Sequence, residues 1–232
     1  MSIADKRFVI FTGLWQADAG VSGTLPVIRP DDTVVCADGG YTICTLAGIR
    51  PSAVIGDFDS LTDAQIDEIE AAGIERVVYP REKDDTDTML CTKYGIEHGF
   101  EIFMIVGGIG GSFGHTMANL QTLSFLTDME CEAGIATENE WLFMVDGETL
   151  STRREAKPAM PAIFTGRPGA KFSVMSYAER SSGVSIENAK YGLSDAVLTQ
   201  SCPVGVDNEF INTESVKVSV RYGRLLIIAD RY

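Results

Sequence analysis

Six short, mostly apolar runs, at residues 8–11, 33–37, 53–55, 76–79, 102–106 and 131–136, set the tightest limit on how this chain can fold. Runs this short and this apolar suit strands buried on both faces. Four helical patterns lie between them. Residues 41–47 are closed by Gly48, and Thr62 with Gln65 three residues later forms a capping box ahead of Ile66 and Ile69. Residues 86–98 carry Leu90 and Tyr94 on one face, and residues 115–127 carry Met117, Leu120 and Leu123 at helical spacing. Such alternation predicts an α/β domain, Rossmann-like, with a mostly parallel sheet covered on both faces.

The pattern changes near residues 137–140. Residues 141–145, 162–165 and 171–178 read as short strands, with turn signals at Asp146-Gly147 and Arg167-Pro168-Gly169. Residues 216–221 alternate apolar and polar, Tyr222-Gly223 turns, and residues 225–229 follow, which predicts a hairpin with one solvated face. No amphipathic helix is evident after about residue 130. The expected organisation is therefore an α/β domain over 1–137 and an all-β domain over 138–232. Residues 12–30, rich in Gly, Ala and Ser, read as a long loop with at most one helical turn.

Among 232 residues the formal net charge is −14, which argues against a nucleic-acid surface but not against a phosphorylated substrate accompanied by metal ions. Cys36, Cys44, Cys91, Cys131 and Cys202 are odd in number and form no Cys-x-x-Cys pair, so reduced core thiols are expected. The first residues lack a signal-peptide pattern, and no run reaches the roughly eighteen apolar residues that a membrane span needs. A cytoplasmic protein with no membrane partner is the expectation.

Gly56-Asp57-Phe58-Asp59-Ser60 ends a strand at a glycine and at once presents two carboxylates. Residues two apart point to the same side, so Asp57 and Asp59 converge while Phe58 faces the core. Close carboxylates repel unless a proton or a cation lies between them, and their oxygens suit Mg²⁺. The plainer reading is a helix start, with Asp59 or Ser60 as its cap.

In an open parallel sheet, ligands bind beyond the carboxyl ends of the strands. Here Asp38-Gly39-Gly40 follows the second run, Asp57 and Asp59 the third, Asp84 and Asp87 the fourth, and Gly107-Gly108-Ile109-Gly110-Gly111 the fifth. The glycine run offers N–H groups to an anion ahead of a helix, and Lys83 offers a point charge to phosphate. His115 opens that helix, where phosphate or base lies within its reach. His98 ends a helix and reads as a partner of its dipole. Together these features point to a nucleotide with Mg²⁺ and to kinase-like transfer.

Ala37-Asp38-Gly39-Gly40, Gly56-Asp57-Phe58-Asp59-Ser60, Lys83-Asp84-Asp85-Thr86-Asp87 and the glycine loop resemble thiamine pyrophosphokinase in order and spacing. Asp207-Asn208-Glu209-Phe210 is similar to that family's Ser-Asn-Glu-Phe segment. The resemblance implies pyrophosphate transfer from ATP to the hydroxyl of thiamine, with AMP leaving. It implies a homodimer with an N-terminal α/β domain, a C-terminal antiparallel β-sandwich, and thiamine held between domains of different subunits. By position, Asp38, Asp57, Asp59 and Asp87 match the metal-binding and catalytic carboxylates. Lys83, Asp84 and Thr86 match the nucleotide-side turn, Gly39, Gly40, Gly107, Gly108, Gly110, Gly111 and His115 the nucleotide bed, and Asp207, Asn208 and Phe210 the thiamine side. The chain departs from the family where Arg-x-Asp-His becomes Ser112-Phe113-Gly114-His115, where Tyr41 and Thr42 replace Ala-Asn, and where Asp207 replaces serine. The lost arginine leaves Arg81, Lys83 or a second Mg²⁺ to face phosphate. Two other readings stand beside the enzyme: a homologue that binds nucleotide or thiamine without turnover, and a diphosphokinase acting on another hydroxymethyl acceptor, such as a pterin.

Overall fold

The structure, a computed structural model, describes residues 3–15, 25–148, 159–212 and 215–231. The chain separates into two units, Met1–Glu138 and Asn139–Tyr232.

In the first unit the strands are β1 (Arg7–Phe11), β2 (Thr33–Ala37), β3 (Ala53–Gly56), β4 (Glu75–Val78), β5 (Ile102–Val106) and β6 (Glu132–Ala136). Their order is β6-β5-β1-β2-β3-β4, and every pairing is parallel. Phe8 to Phe11, Val54, Ile55 and Ile105 are almost wholly buried, as strands covered on both faces require. The chain winds outward from β1 to β4, then returns across β1 to lay down β5. That reversal opens a crevice beyond the ends of β1 and β5. The register Phe11↔Val106, Phe11↔Cys36, Ala37↔Ile55 and Gly56↔Val78 brings the strand ends to one rim.

The helices are α1 (Gly40–Leu46), α2 (Asp63–Ala71), α3 (Asp87–Glu97) and α4 (Phe113–Asp128). Thr62 caps α2 with the expected box to Gln65, and Gln65 Nε2 also donates to Thr42 Oγ1 of α1 at 2.9 Å. Asp59 and Ser60 are thus not the cap. The buried face of α4 is Asn119, Thr122, Leu123 and Leu126, whereas Met117 is exposed. Most of the loop expected over 12–30 lies outside the described residues.

The second unit contains β7 (Glu140–Asp146), β8 (Ala162–Phe164), β9 (Lys171–Ser176), β10 (Arg180–Glu187), β11 (Leu193–Thr199), β12 (Asn208–Glu209), β13 (Val216–Ser219) and β14 (Arg224–Asp230). Two antiparallel layers, β12-β9-β14-β7 and β11-β10-β13-β8, enclose a core that includes Phe172, Val174, Val184, Ile186, Phe210, Val218, Leu225 and Ile227. This unit is a β-sandwich.

The expected hairpin between residues 216 and 229 does not form. β13 pairs with β10 and β8, while β14 pairs with β7 and β9 in the opposite layer. The Tyr222-Gly223 turn is an arch between layers. Alternation cannot distinguish the two, because strands facing each other across a sandwich also bury one face each. Gly223, at φ 99°, makes the arch possible: a Cβ there would lie 2.6 Å from the Arg180 carbonyl oxygen.

Candidate active site

Asp38 directly follows β2, sits at φ 39° and is only 4 % exposed. Its Oδ2 accepts from the Ser60 N–H at 3.2 Å, and its Oδ1 is buried without a hydrogen-bond partner. Burial pushes this carboxyl's pKa up against the opposing Ser60 contacts, and the charges of Asp87 and Asp57 add to the rise. An unpartnered carboxylate oxygen inside a protein is costly unless something cationic completes it.

β3 ends at Gly56, where no side chain would fit. A Cβ would lie 2.9 Å from Asp38 Cβ and 3.2 Å from Asp87 Oδ1. The bare backbone therefore lets carboxylates from neighbouring strand ends close in. Phe58 takes a positive φ of 65° yet is buried, with the Arg76 guanidinium over its ring at 4.8 Å. Anchored in this way, it turns Asp57 and Asp59 outward together, and carboxylate oxygens of Asp38, Asp57 and Asp59 lie within 4.8 Å of one another. Three converging carboxylates, one with an orphaned oxygen, fit a hard divalent cation such as Mg²⁺.

Asp87 is not part of that triad. It is the first residue of α3, favourable for a negative charge, and its Oδ1 lies 2.8 Å from Lys83 Nζ. Lys83 Nζ also lies 3.5 Å from Asp57 Oδ2, and Arg81 Nη2 lies 2.9 Å from Asp59 Oδ2. Both basic residues of this turn are thus folded onto the carboxylates. Thr86 caps α3 by accepting from the Met89 N–H at 3.2 Å, so its hydroxyl fixes the helix start that presents Asp87. Asp84 is exposed, and Asp85 pairs with Lys93 at 2.5 Å.

Three N–H groups of the glycine loop are engaged within the fold. Gly107 N–H donates to the Ala136 carbonyl, Gly108 N–H to the Leu14 carbonyl and Gly110 N–H to Thr116 Oγ1. Those groups serve the fold and are not free for an anion. The glycines are needed for closeness, since a Cβ on Gly107 would lie 2.0 Å from Leu14 O. At the first turn of α4, N-cap Ser112 makes no side-chain cap bond and His115 is exposed. Gly39 and Gly40 lie at the rim: Gly40 packs against the Phe11 carbonyl with no room for a Cβ, and Gly39 lies against Ser60 and Gly13. Sequence reasoning missed Gly13 and the Ser60 N–H. A single glycine and a backbone donor leave no pattern to read. His98 caps α3, with Nδ1 2.7 Å from the Tyr94 carbonyl.

In the second unit, two of the residues expected on the thiamine side are buried. Asn208 is 4 % exposed, and its amide bonds Tyr191 N–H, Tyr191 C=O and the Glu209 N–H. Phe210 is 1 % exposed, packed on Phe172 with centroids 4.9 Å apart. Both make contacts within the second unit. Asp207 is exposed and pairs with Lys171 at 2.9 Å.

The catalytic-domain model of thiamin pyrophosphokinase matches residues 26–133, and the model of that enzyme's vitamin B1 binding domain matches residues 163–225. A thiamine pyrophosphokinase of Bacillus subtilis (strain 168) is 28 % identical over 193 residues, 82 % of this chain and 84 % of that protein. The crystal structure of a thiamine pyrophosphokinase from Bacillus subtilis superposes with a TM-score of 0.81 at 20 % identity, covering 97 % of this chain and 99 % of that one. The yeast thiamin pyrophosphokinase structure gives 0.72 at 13 % identity, covering 99 % and 87 %. These structures share the fold, and the two domain models together span well over half of the sequence. The chain belongs to the thiamine pyrophosphokinase family.

Proposed function

We propose that this chain transfers the pyrophosphoryl group of ATP to the hydroxyl of thiamine, giving thiamine diphosphate and AMP. The observation that carries the reading is the triad of Asp38, Asp57 and Asp59 oxygens within 4.8 Å, with Asp38 Oδ1 buried and unpartnered, inside a segment that matches the family's catalytic domain. The thiamine hydroxyl oxygen attacks the β-phosphorus of ATP. The bond from that phosphorus to the α–β bridging oxygen breaks, AMP leaves with the electron pair, and the hydroxyl proton is lost.

Asp38, Asp57 and Asp59 would hold Mg²⁺, which when bound screens the charge of the polyphosphate. The chain's own groups do the remaining work. Asp87, outside the triad and at the start of α3, takes the hydroxyl proton. The first turn of α4 and Lys83 face the polyphosphate, and Asp84 lines the nucleotide side. We assign ATP and metal to residues 1–138 and thiamine to residues 139–232, with Asp207 near the cationic thiazolium. The working molecule is a homodimer. All five cysteines are free, which suits the cytoplasm, and no helix among the described residues is long and apolar enough to cross a membrane.

The test is an acceptor screen with ATP and Mg²⁺, measuring AMP. AMP formed with thiamine and not with a hydroxymethylpterin supports the proposal. ADP as the nucleotide product, or AMP only with another acceptor, overturns it.

A further inference from the structure

The two basic side chains of the 81–83 turn, Arg81 and Lys83, contact carboxylates. Lys83 is only 14 % exposed along its side chain, and its ammonium lies 2.8 Å from Asp87 Oδ1 and 3.5 Å from Asp57 Oδ2. Asp57 is one of the three carboxylates that converge on the candidate cation position. One carboxylate therefore serves two positive charges. A divalent ion among Asp38, Asp57 and Asp59 would meet the Lys83 ammonium at short range, and like charges in a partly buried site repel strongly. The Lys83–Asp87 contact is a close ion pair, and neither Nζ nor Oδ1 makes a hydrogen bond elsewhere. Lysine is suited to exchange partners, being a point charge on a flexible four-carbon stem.

The glycine loop and α4 bring no Lys or Arg to the site. Between Gly107 and His115 the sequence contains no Lys or Arg. A polyphosphate needs charge-assisted donors, and the nearby turn holds two, Arg81 and Lys83. Arg81, 80 % exposed, holds Asp59 weakly from solvent. Lys83 is the inner one.

We propose that Lys83 is an exchangeable counter-ion. It neutralises Asp57 and Asp87 in the empty site, leaves them when the divalent cation binds, and then pairs with the polyphosphate. This rests on the metal-site reading above. Its consequence is a coupling: cation binding frees Lys83 for nucleotide, and nucleotide draws Lys83 away from the cation's ligands, so each tightens the other.

The experiment measures Mn²⁺ binding by electron paramagnetic resonance on full-length wild type, K83M and K83R, without nucleotide and then with α,β-methylene-ATP, which cannot be cleaved at the reacting bond. K83M is expected to bind Mn²⁺ about tenfold tighter than wild type when nucleotide is absent, having lost an internal competitor. Its affinity for the nucleotide analogue is expected to fall about tenfold, and the mutual tightening of metal and nucleotide to shrink. K83R, which keeps the charge, is expected to stay near wild type in Mn²⁺ affinity. Equal or weaker Mn²⁺ binding by K83M, or undiminished coupling, overturns the proposal. K83Q repeats the test should K83M fail to fold. Absence of Mn²⁺ binding in wild type would instead overturn the metal-site reading beneath it.

Discussion

Asn208 illustrates how a residue's chemistry depends on what has already claimed it. Its amide ties down both backbone groups of Tyr191 and the following N–H, and only 4 % of the residue meets solvent. Replacing it with alanine should destabilise the protein by about 1–3 kcal/mol in chemical denaturation. The KM for thiamine should stay unchanged in the fraction that remains folded. A raised KM at unchanged stability would return Asn208 to the ligand. At this scale the Gly-Asp-Phe-Asp turn was legible, because a two-residue spacing and a core-seeking Phe58 dictate which carboxylates converge. The employment of Asn208 and Phe210 was not, since their partners Tyr191 and Phe172 are distant in sequence and show no local pattern.

Helix starts in this chain carry much of the site's placement. Thr62 and Thr86 each accept from a backbone N–H three residues on, fixing where α2 and α3 begin and so where the turns before them point. T62A should cost about 1 kcal/mol, read as a lower denaturation midpoint, without altering the α3 end of the site. These caps were readable from sequence because capping chemistry is local. The glycine loop was not, because its N–H groups are taken by Ala136, Leu14 and Thr116, which only the fold brings near. Strand β10 hid for a related reason: Gly183 and two register shifts break its alternation, so its inward residues lose their period of two.

One strand pair sets a pH response. Glu140 on β7 faces Asp230 on β14 in register. Burial first, and the Asp230 charge second, raise the Glu140 pKa above 4.5. A carboxyl with a raised folded pKa holds its proton more tightly when folded. Its contribution is therefore full below the unfolded value and is lost as pH rises through the folded value. E140Q should remove that loss, so that the stability difference between wild type and variant grows with pH above about 4.5. A difference independent of pH across that window would show that Glu140 is not perturbed.

For the molecule as a whole, an α/β unit and a β-sandwich follow from alternating apolar runs and from the change of pattern near residue 138, while the arch between β13 and β14 needed the structure. The proposed activity rests on the carboxylate triad at one rim of the parallel sheet. Asp57 belongs both to that triad and to the Lys83 pair, so it carries the most weight. The decisive measurement is a product analysis of wild type and D57N with ATP, thiamine and Mg²⁺, alongside unfolding midpoints for both. Wild type should yield AMP and thiamine diphosphate in equal amounts, and D57N should retain its fold while turning over about 100-fold slower or less. A folded D57N that matches wild type, or a wild type that makes no AMP, would contradict the account.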